Sequence, residues 1–452
     1  MTEQSKTISP EHEYLGAGKS VAYGLQHVLT MYGGIIAPPL IVGTAAGLEA
    51  YQIGLLIAAA LFVGGLATIL QTVGVKYIGA KLPLVQGVSF AGVATMVAIV
   101  TTGGGLQAVY GAVIVASLIG FFLAPYFSKI IRFFPPVVTG CVITIIGLSL
   151  LPVAVRWMMG GNPKAPEWGS VENIGLALMT LALVVCLNLS RHAAIRRLSI
   201  LLAIVLGSVL AYLFGFGDFS KVATGTWIQV PSFFAFGLPT FELTAIISML
   251  IVTLVIMTET TADIIAVGEI VGTKVDADRI SNGLRADMLS SAMAPVFGSF
   301  MQSAFAQNVG LVAITGIKSR FVVAAGGMIL VVLGLLPIMG RLIAAIPVPV
   351  LGGAGLVLFG TVAASGIRTL AKIDYNEQKN LIIVATAIAA GMIPIIDHSF
   401  YANFPKWVQT LFHSGISSTC LMAILLNLLF NHLRLFKNRS TATTEIVAKL
   451  PH

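Results

Sequence analysis

The chain has 452 residues, of which 57% are apolar and only 10% charged; its mean hydropathy of +0.95 excludes an ordinary soluble domain and points to a polytopic membrane protein. The net charge of +8 is read as loop charge that sets orientation in a bilayer, not as a nucleic-acid surface. Cys141, Cys186 and Cys420 sit in apolar runs without CxxC or Cys/His spacing, so no disulfide framework or zinc site is expected and each is read as a small core residue.

Residues 1–19 form a polar tail without the apolar core and small-residue cleavage site of a signal peptide, so the first span is expected to direct insertion itself. A spanning helix needs about 20 mainly apolar residues. Such segments fall at 20–45, 51–74, 83–101, 106–128, 136–155, 172–190, 198–216, 240–267, 285–301, 303–317, 321–340, 344–366, 380–396 and 415–433. The third and tenth are short or interrupted by glycine. Fourteen spans put both termini, including the tail 434–452, on one side. With that side cytoplasmic, 21 of the 26 Lys and Arg face the cytoplasm, leaving out only Arg156, Lys164, Lys221, Arg341 and Lys406, as the positive-inside rule requires.

The chain also repeats itself. A shift of 213 lays FPPVVTGCVITIIG (134–147) on PVPVLGGAGLVLFG (347–360), and a shift of 221 lays QGVSF (86–90) on QNVGL (307–311). The paired segments are seven spans apart, an odd number, so the halves cross the membrane in opposite senses, as in transporters built from inverted repeats. Such folds place the substrate near the midplane, where interrupted helices meet. Gln86 and Gln307 are each expected to begin an interruption, and a side-chain amide, both donor and acceptor, suits the edge of a heterocyclic ring.

Polar residues inside the spans, in chain order, are the functional candidates. His27 in GLQHVLTMYGG is either a hydrogen-bonded core residue or a proton-linked group. Phe90 and Phe305, each close to a candidate amide, are either core packing or a stacking face for a planar ring. Glu259 and Asp263 in MTETTADIIAVGE lie one turn apart on one helix face, and Glu259, following a long apolar stretch, is deep enough to be costly and therefore a site for substrate or proton chemistry rather than a structural ion pair. Asp287 in RADMLSSAM is placed near the start of the ninth span, as an ion-pair partner of Arg285, a helix cap, or a buried partner of the site. No HExxH, GxSxG, Walker A or GxGxxG run stands in a context that supports enzyme chemistry or a bound cofactor.

With these residues in view the chain resembles the nucleobase-ascorbate transporter family, also called nucleobase:cation symporter-2, in its xanthine and uric acid permease branch. The family signature Q/E/P-N-x-G-x-x-x-x-T-R/K/G is met throughout by QNVGLVAITG (307–316), and QH (26–27), QxxxF (86–90), ETTAD (259–263) and Asp287 fall where the family's elements fall. The resemblance implies an all-α polytopic fold of about fourteen spans in two inverted seven-span repeats, with short extended breaks in spans 3 and 10. It implies a core domain (20–128 and 239–342) and a gate domain (129–238 and 343–433), and commonly a homodimer meeting through the gates. It further implies proton-coupled purine uptake across the cell membrane, with Glu259 and Gln307 binding the nucleobase edge, His27 and Asp287 supporting the polar network and proton coupling, and Asn308 holding the signature in shape. Ser89 is a departure: xanthine carriers often have Asn there, and a small hydroxyl suggests looser selection or urate. The rival readings are an anion or bicarbonate transporter of the same inverted-repeat plan, an ion channel, or a membrane-embedded hydrolase.

Overall fold

The structure is a computed structural model that describes residues 9–127, 134–217, 219, 220, 222, 226–376, 378–397, 399–405, 408, 409, 412 and 414–432. Residues 1–8 of the N-terminal tail, the C-terminal tail 434–452 and the start of the first gate segment (129–133) lie outside the described residues. Each of the fourteen apolar segments contains a helix: α1 (Ala17–Ala45), α2 (Ala50–Thr72), α3 (Phe90–Ile99), α4 (Gly105–Leu123), α5 (Pro136–Met158), α6 (Val171–Asn188), α7 (Ser199–Leu213), α8 (Leu243–Val271), α9 (Ala277–Met293), α10 (Ala306–Thr315), α11 (Arg320–Gly334), α12 (Val348–Leu370), α13 (Gln378–Ile396) and α14 (Gly415–Asn427). Among the described residues eight helices are long and apolar enough to cross a bilayer, or nine if α11 is joined to Pro337–Ala344 across its 77° bend. The bend falls just before Pro337, which has no N–H to continue the helix.

The two extended breaks are present. Strand β1 (Gln86–Val88) precedes α3, strand β2 (Gln302–Ala304) precedes α10, and the two pair antiparallel with Gln86 opposite Ala304, Gly87 opposite Ser303 and Val88 opposite Gln302. Antiparallel contact recurs between α5 and α12: a Cβ at Gly140 would strike Leu370, one at Gly147 Ala363, and one at Gly366 Thr144. Corresponding segments of two halves related by a twofold axis in the membrane plane must meet in this sense, and both pairs do. Helices α1–α4 pack chiefly with α8–α11, while α5–α7 pack chiefly with α12–α14. Backbone proximity holds the first group: a Cβ at Gly65 of α2 would lie 2.5 Å from the Gly327 carbonyl oxygen of α11.

Three expectations need correction. Cys141 and Cys420 are buried, but Cys186 is exposed, because α6 is a thinly covered helix. The break in the second half lies before Gln307, not at it: Gln307 is the second residue of α10. The strand registers therefore equate Gln86 with Gln302, a shift of 216 rather than 221. Finally, α9 starts at Ala277, with Asp276 as its cap, accepting from the Arg279 N–H at 2.9 Å. Its first half, ADRISNGLR, is too polar for a hydropathy window, so Asp287 is mid-helix and neither caps it nor pairs with Arg285.

Ahead of α1, a turn at Pro10–His12 docks onto the polar ends of α8, α9 and α11. Buried Glu11 accepts from Thr273 Oγ1 (2.7 Å) and from Arg279 (3.2 Å), and Arg279 also reaches the carbonyls of Ala80 (2.7 Å) and Lys81 (3.0 Å). Ser319 Oγ donates to the Glu13 carbonyl at 2.6 Å, and Tyr14 meets Phe321 edge to face. Burial alone would push the Glu11 carboxyl up, but the hydrogen bonds from Thr273 and Arg279 and the Arg279 charge outweigh it and hold it below its ordinary value.

A group with a lowered folded-state pKa stabilises the fold above its unfolded pKa and loses that contribution as pH falls through the lowered value. Glu11→Gln is therefore expected to cost about 1–3 kcal/mol near neutral pH. Melting of the detergent-purified variant against the parent should show a deficit at pH 7 that closes below about pH 4; a deficit independent of pH would show that the charge is not what matters.

Candidate functional site

An extended backbone within a bilayer must find partners inside the protein, since each unsatisfied amide or carbonyl costs several kcal/mol there. The strands satisfy one another, and the ladder is lengthened at both ends by Ser89 N–H to the Met301 carbonyl (2.8 Å) and Phe305 N–H to the Val85 carbonyl (3.1 Å). Side-chain hydroxyls serve the outer edges. Thr68 Oγ1 of α2 accepts from Gln86 N–H at 2.9 Å, and Ser291 Oγ of α9 accepts from Gln302 N–H at 2.8 Å. Thr260 Oγ1 of α8 lies 3.4 Å from Ala304 N–H. Directly beyond the strands α3 and α10 begin, so two helix N-termini with free N–H groups converge beside the ladder, an arrangement suited to a polar or anionic ligand.

Behind the ladder lies a buried carboxylate. Asp287 accepts from Thr260 Oγ1 (2.5 Å) and Gln71 Nε2 (3.1 Å), and the other end of that amide, Gln71 Oε1, accepts from Ala80 N–H (3.0 Å). Thr260 thus joins strand to acid. A second bridge joins α1 to the signature segment: Asn308 Nδ2 donates to the Pro83 carbonyl at 2.7 Å, and its Oδ1 faces His27 Nδ1 at 2.7 Å. A carbonyl only accepts, which fixes the Asn308 amide and requires that His27 carry its proton on Nδ1.

The aromatic candidates come together. Phe305 is buried, its ring wedged where a Cβ on Gly87 would lie 2.6 Å from it and one on Gly34 2.9 Å. Phe90 stands edge-on to it at 6.3 Å between centroids and edge-on to Phe359 of α12 at 6.2 Å; Phe359 in turn leans on Trp157 of α5 at 6.2 Å. These four rings cross from one helix group to the other. Phe359 and Trp157 were not singled out in the sequence, where an aromatic in an apolar span carries no distinguishing pattern.

Glu259 is half-buried and opens on a cleft of about 180 Å³ lined by Phe134, Thr139, Val142 and Ile143 on the α5 side and by Val255 and Thr258 of α8. Asp263 is half-buried one turn further along α8, and Gln307 is exposed in the first turn of α10. Neither Gln86 nor Gln307 lines the cleft at Glu259. Gln86 is 1% exposed and, by strand alternation, shares its face with Val88, Gln302 and Ala304, opposite to Gly87 and the Phe305 ring. Ser89 is also buried, its Oγ capping α3 by accepting from Ala91 N–H at 3.2 Å. Among the described residues no group of three or more His, Cys, Asp or Glu could hold a metal ion.

A family model described as the permease family matches residues 18–399. The uric acid transporter UacT of Escherichia coli (strain K12) is 38% identical over 431 residues, covering 95% of this chain and 89% of the relative. The uric acid permease PucK of Bacillus subtilis (strain 168) is 41% identical over 407 residues, 90% and 94% of the two chains, and the xanthine permease of the same organism is 38% identical over 416 residues, 92% and 94%. Among solved structures, the transmembrane domain of the cyanobacterial bicarbonate transporter BicA aligns with a TM-score of 0.58 at 17% identity, covering 91% of this chain and 98% of that one. The murine anion transporter Slc26a9 in its inward-facing state aligns at 0.62 and 12% identity, covering 93% and 69%. At such identities the likeness is one of fold.

Removing the Thr260 hydroxyl isosterically tests the link between ladder and acid. Thr260→Val should destabilise by about 1–3 kcal/mol, because it strips a donor from Asp287 and an acceptor from Ala304 N–H, whereas Thr260→Ser should stay close to the parent. Thermal unfolding in detergent reads both, and an unchanged midpoint for the valine variant would remove Thr260 from the support of the strands.

Proposed function

Because this chain belongs to the permease family, in the xanthine and uric acid branch of the nucleobase-ascorbate transporters, we propose that it is a secondary active transporter carrying uric acid or xanthine across the cell membrane together with protons. The observation that carries the site is the β1–β2 pair, which aims the starts of α3 and α10 at one place. In this reading Glu259 and Gln307 bind the polar edge of the purine and Phe90 and Phe305 face its ring. His27 and Asn308 hold the signature segment in register. Asp287 and Asp263 take part in proton coupling. Ser89 acts by capping α3 more than by touching the ligand, and Gln86 belongs with Asp287 behind the ladder.

Helices α1–α4 and α8–α11 serve as the core and α5–α7 and α12–α14 as the gate, the core sliding or rocking against the gate. The small cleft at Glu259, walled on one side by α5, is then a partly closed passage between the two. Proton and purine favour the same state, so each raises the affinity for the other. Both termini face the cytoplasm, and the protein is a homodimer through its gate helices.

Uptake of labelled urate and xanthine into cells expressing the chain should exceed that of control cells, rise with an inward proton gradient and collapse with a protonophore. Glu259→Gln should lower purine uptake at least roughly 10-fold, the size expected from losing one charge-assisted hydrogen bond. Correctly inserted protein that neither binds nor transports purines would reject the reading, and bicarbonate uptake indifferent to Glu259→Gln would favour an anion carrier of the same fold.

A further inference from the structure

The strand register brings out two glutamines that the transport site does not use. Gln86 opens β1 and Gln302 opens β2, so they occupy the same position in the two halves and lie on one face of the ladder, two rows apart. Both are buried, at 1% and 0% exposure. Gln302 Nε2 turns back to the Phe300 carbonyl at 2.7 Å, but Gln302 Oε1 and both amide atoms of Gln86 have no hydrogen-bond partner. Buried amides are rarely left so, because each unpaired atom forfeits its hydration.

The surroundings differ on the two sides. Thr68 of α2 and Ser291 of α9 serve the two strands in the same way, so counting one turn back equates Gly64 with Asp287. The Gln86 side chain lies beside the Asp287 carboxylate. Gln302 Oε1 lies over Gly64, 3.7 Å from where a Cβ would be. Only one half has the acid, and the glycine opposite lets the strand come close to α2, where a Cβ would lie 3.3 Å from the Gln86 carbonyl oxygen.

We propose that the partnerless amides behind the strand pair bind ordered water, shared between Gln86 and Gln302 and continuous with Asp287, and that Gln302 is a positioning residue for that carboxylate. The partnerless set contains one donor, Gln86 Nε2, and two acceptors, Gln86 Oε1 and Gln302 Oε1, and water can both accept and donate. A bare cation would satisfy the acceptors but leave the Gln86 NH2 facing it. Asp287 is also already occupied by two donors, Thr260 and Gln71, which turn positive hydrogens toward its oxygens.

A structure of the full chain, by cryo-electron microscopy or crystallography at a resolution that shows water, should reveal density within hydrogen-bond distance of both amides. Absence of such density, two amides bonded directly to each other, or density replaced by thallium or rubidium anomalous signal would each overturn the proposal. In solution, Gln86→Leu and Gln302→Leu should each lower the melting temperature, and the double variant should fall no further than the worse single one because the shared water is lost once; additive losses would overturn it. The positioning role rests on the proton-coupled transport proposed above. Gln302→Leu should displace the pH profile of urate uptake by roughly half a unit or more, while Ser299→Ala should not; an unmoved profile would overturn that role. Failure of the parent chain to transport any purine would count against the transport reading and leave the density and melting tests of the water site intact.

Discussion

Everything in this molecule that concerns a ligand depends on two three-residue strands pairing where a membrane would otherwise demand helix. Extended backbone in hydrocarbon is prohibitively costly unless its polar groups are met. Neither β1 nor β2 could meet that cost alone, and each completes the other. The pairing frees the starts of α3 and α10 from helical hydrogen bonding and sets both at mid-protein. A continuous helix through either segment would have spent those N–H groups internally.

Pairing two strands satisfies only their facing edges, and the outer edges explain a set of residues that otherwise look incidental. Thr68, Ser291 and Thr260 are hydroxyls on three different helices, each directed at a strand N–H. Glycine makes the close approach possible: Gly87 leaves the room that the Phe305 ring fills. The polar groups therefore divide into two kinds. Those with complete partners, such as Asn308 between His27 and Pro83, hold the frame. Those left open, such as the exposed Gln307 and the half-buried Glu259, are the ones a ligand could reach.

Much of this was legible in the sequence because hydropathy and loop charge act over long stretches. Each apolar segment holds a helix, and the segments carrying QGVSF and QNVGL do contain the breaks. Local register was less legible. Laying QGVSF on QNVGL gives a shift of 221, yet the structural counterpart of Gln86 is Gln302, five residues before Gln307, in a stretch with no motif to mark it. Asp287 was misplaced for a related reason. An amphipathic helix end such as ADRISNGLR reads as loop to a hydropathy window, although its polar face packs against the loop at Ala80 and Lys81. Long-range partners such as Gln71 and Thr260 lie far from Asp287 in sequence, and nothing in one chain announces that they meet.

The two halves share a frame but not a chemistry, and the difference can be located at single positions. Strand, glutamine and supporting hydroxyl occur in both. The carboxylate occurs once, as Asp287, where the corresponding place in α2 is Gly64. A symmetric pair of buried acids would repel each other and leave more charge to be compensated than the ladder's few donors allow. With one acid and one glycine, the frame keeps its twofold support while a single protonatable group is held by Thr260 against β2. Asp287 touches the second half through Thr260, which also meets the strand leading into α10, and the first half through Gln71 of α2. In the transport proposed above, that asymmetry would give an inverted repeat a direction in which protonation and ligand binding are linked.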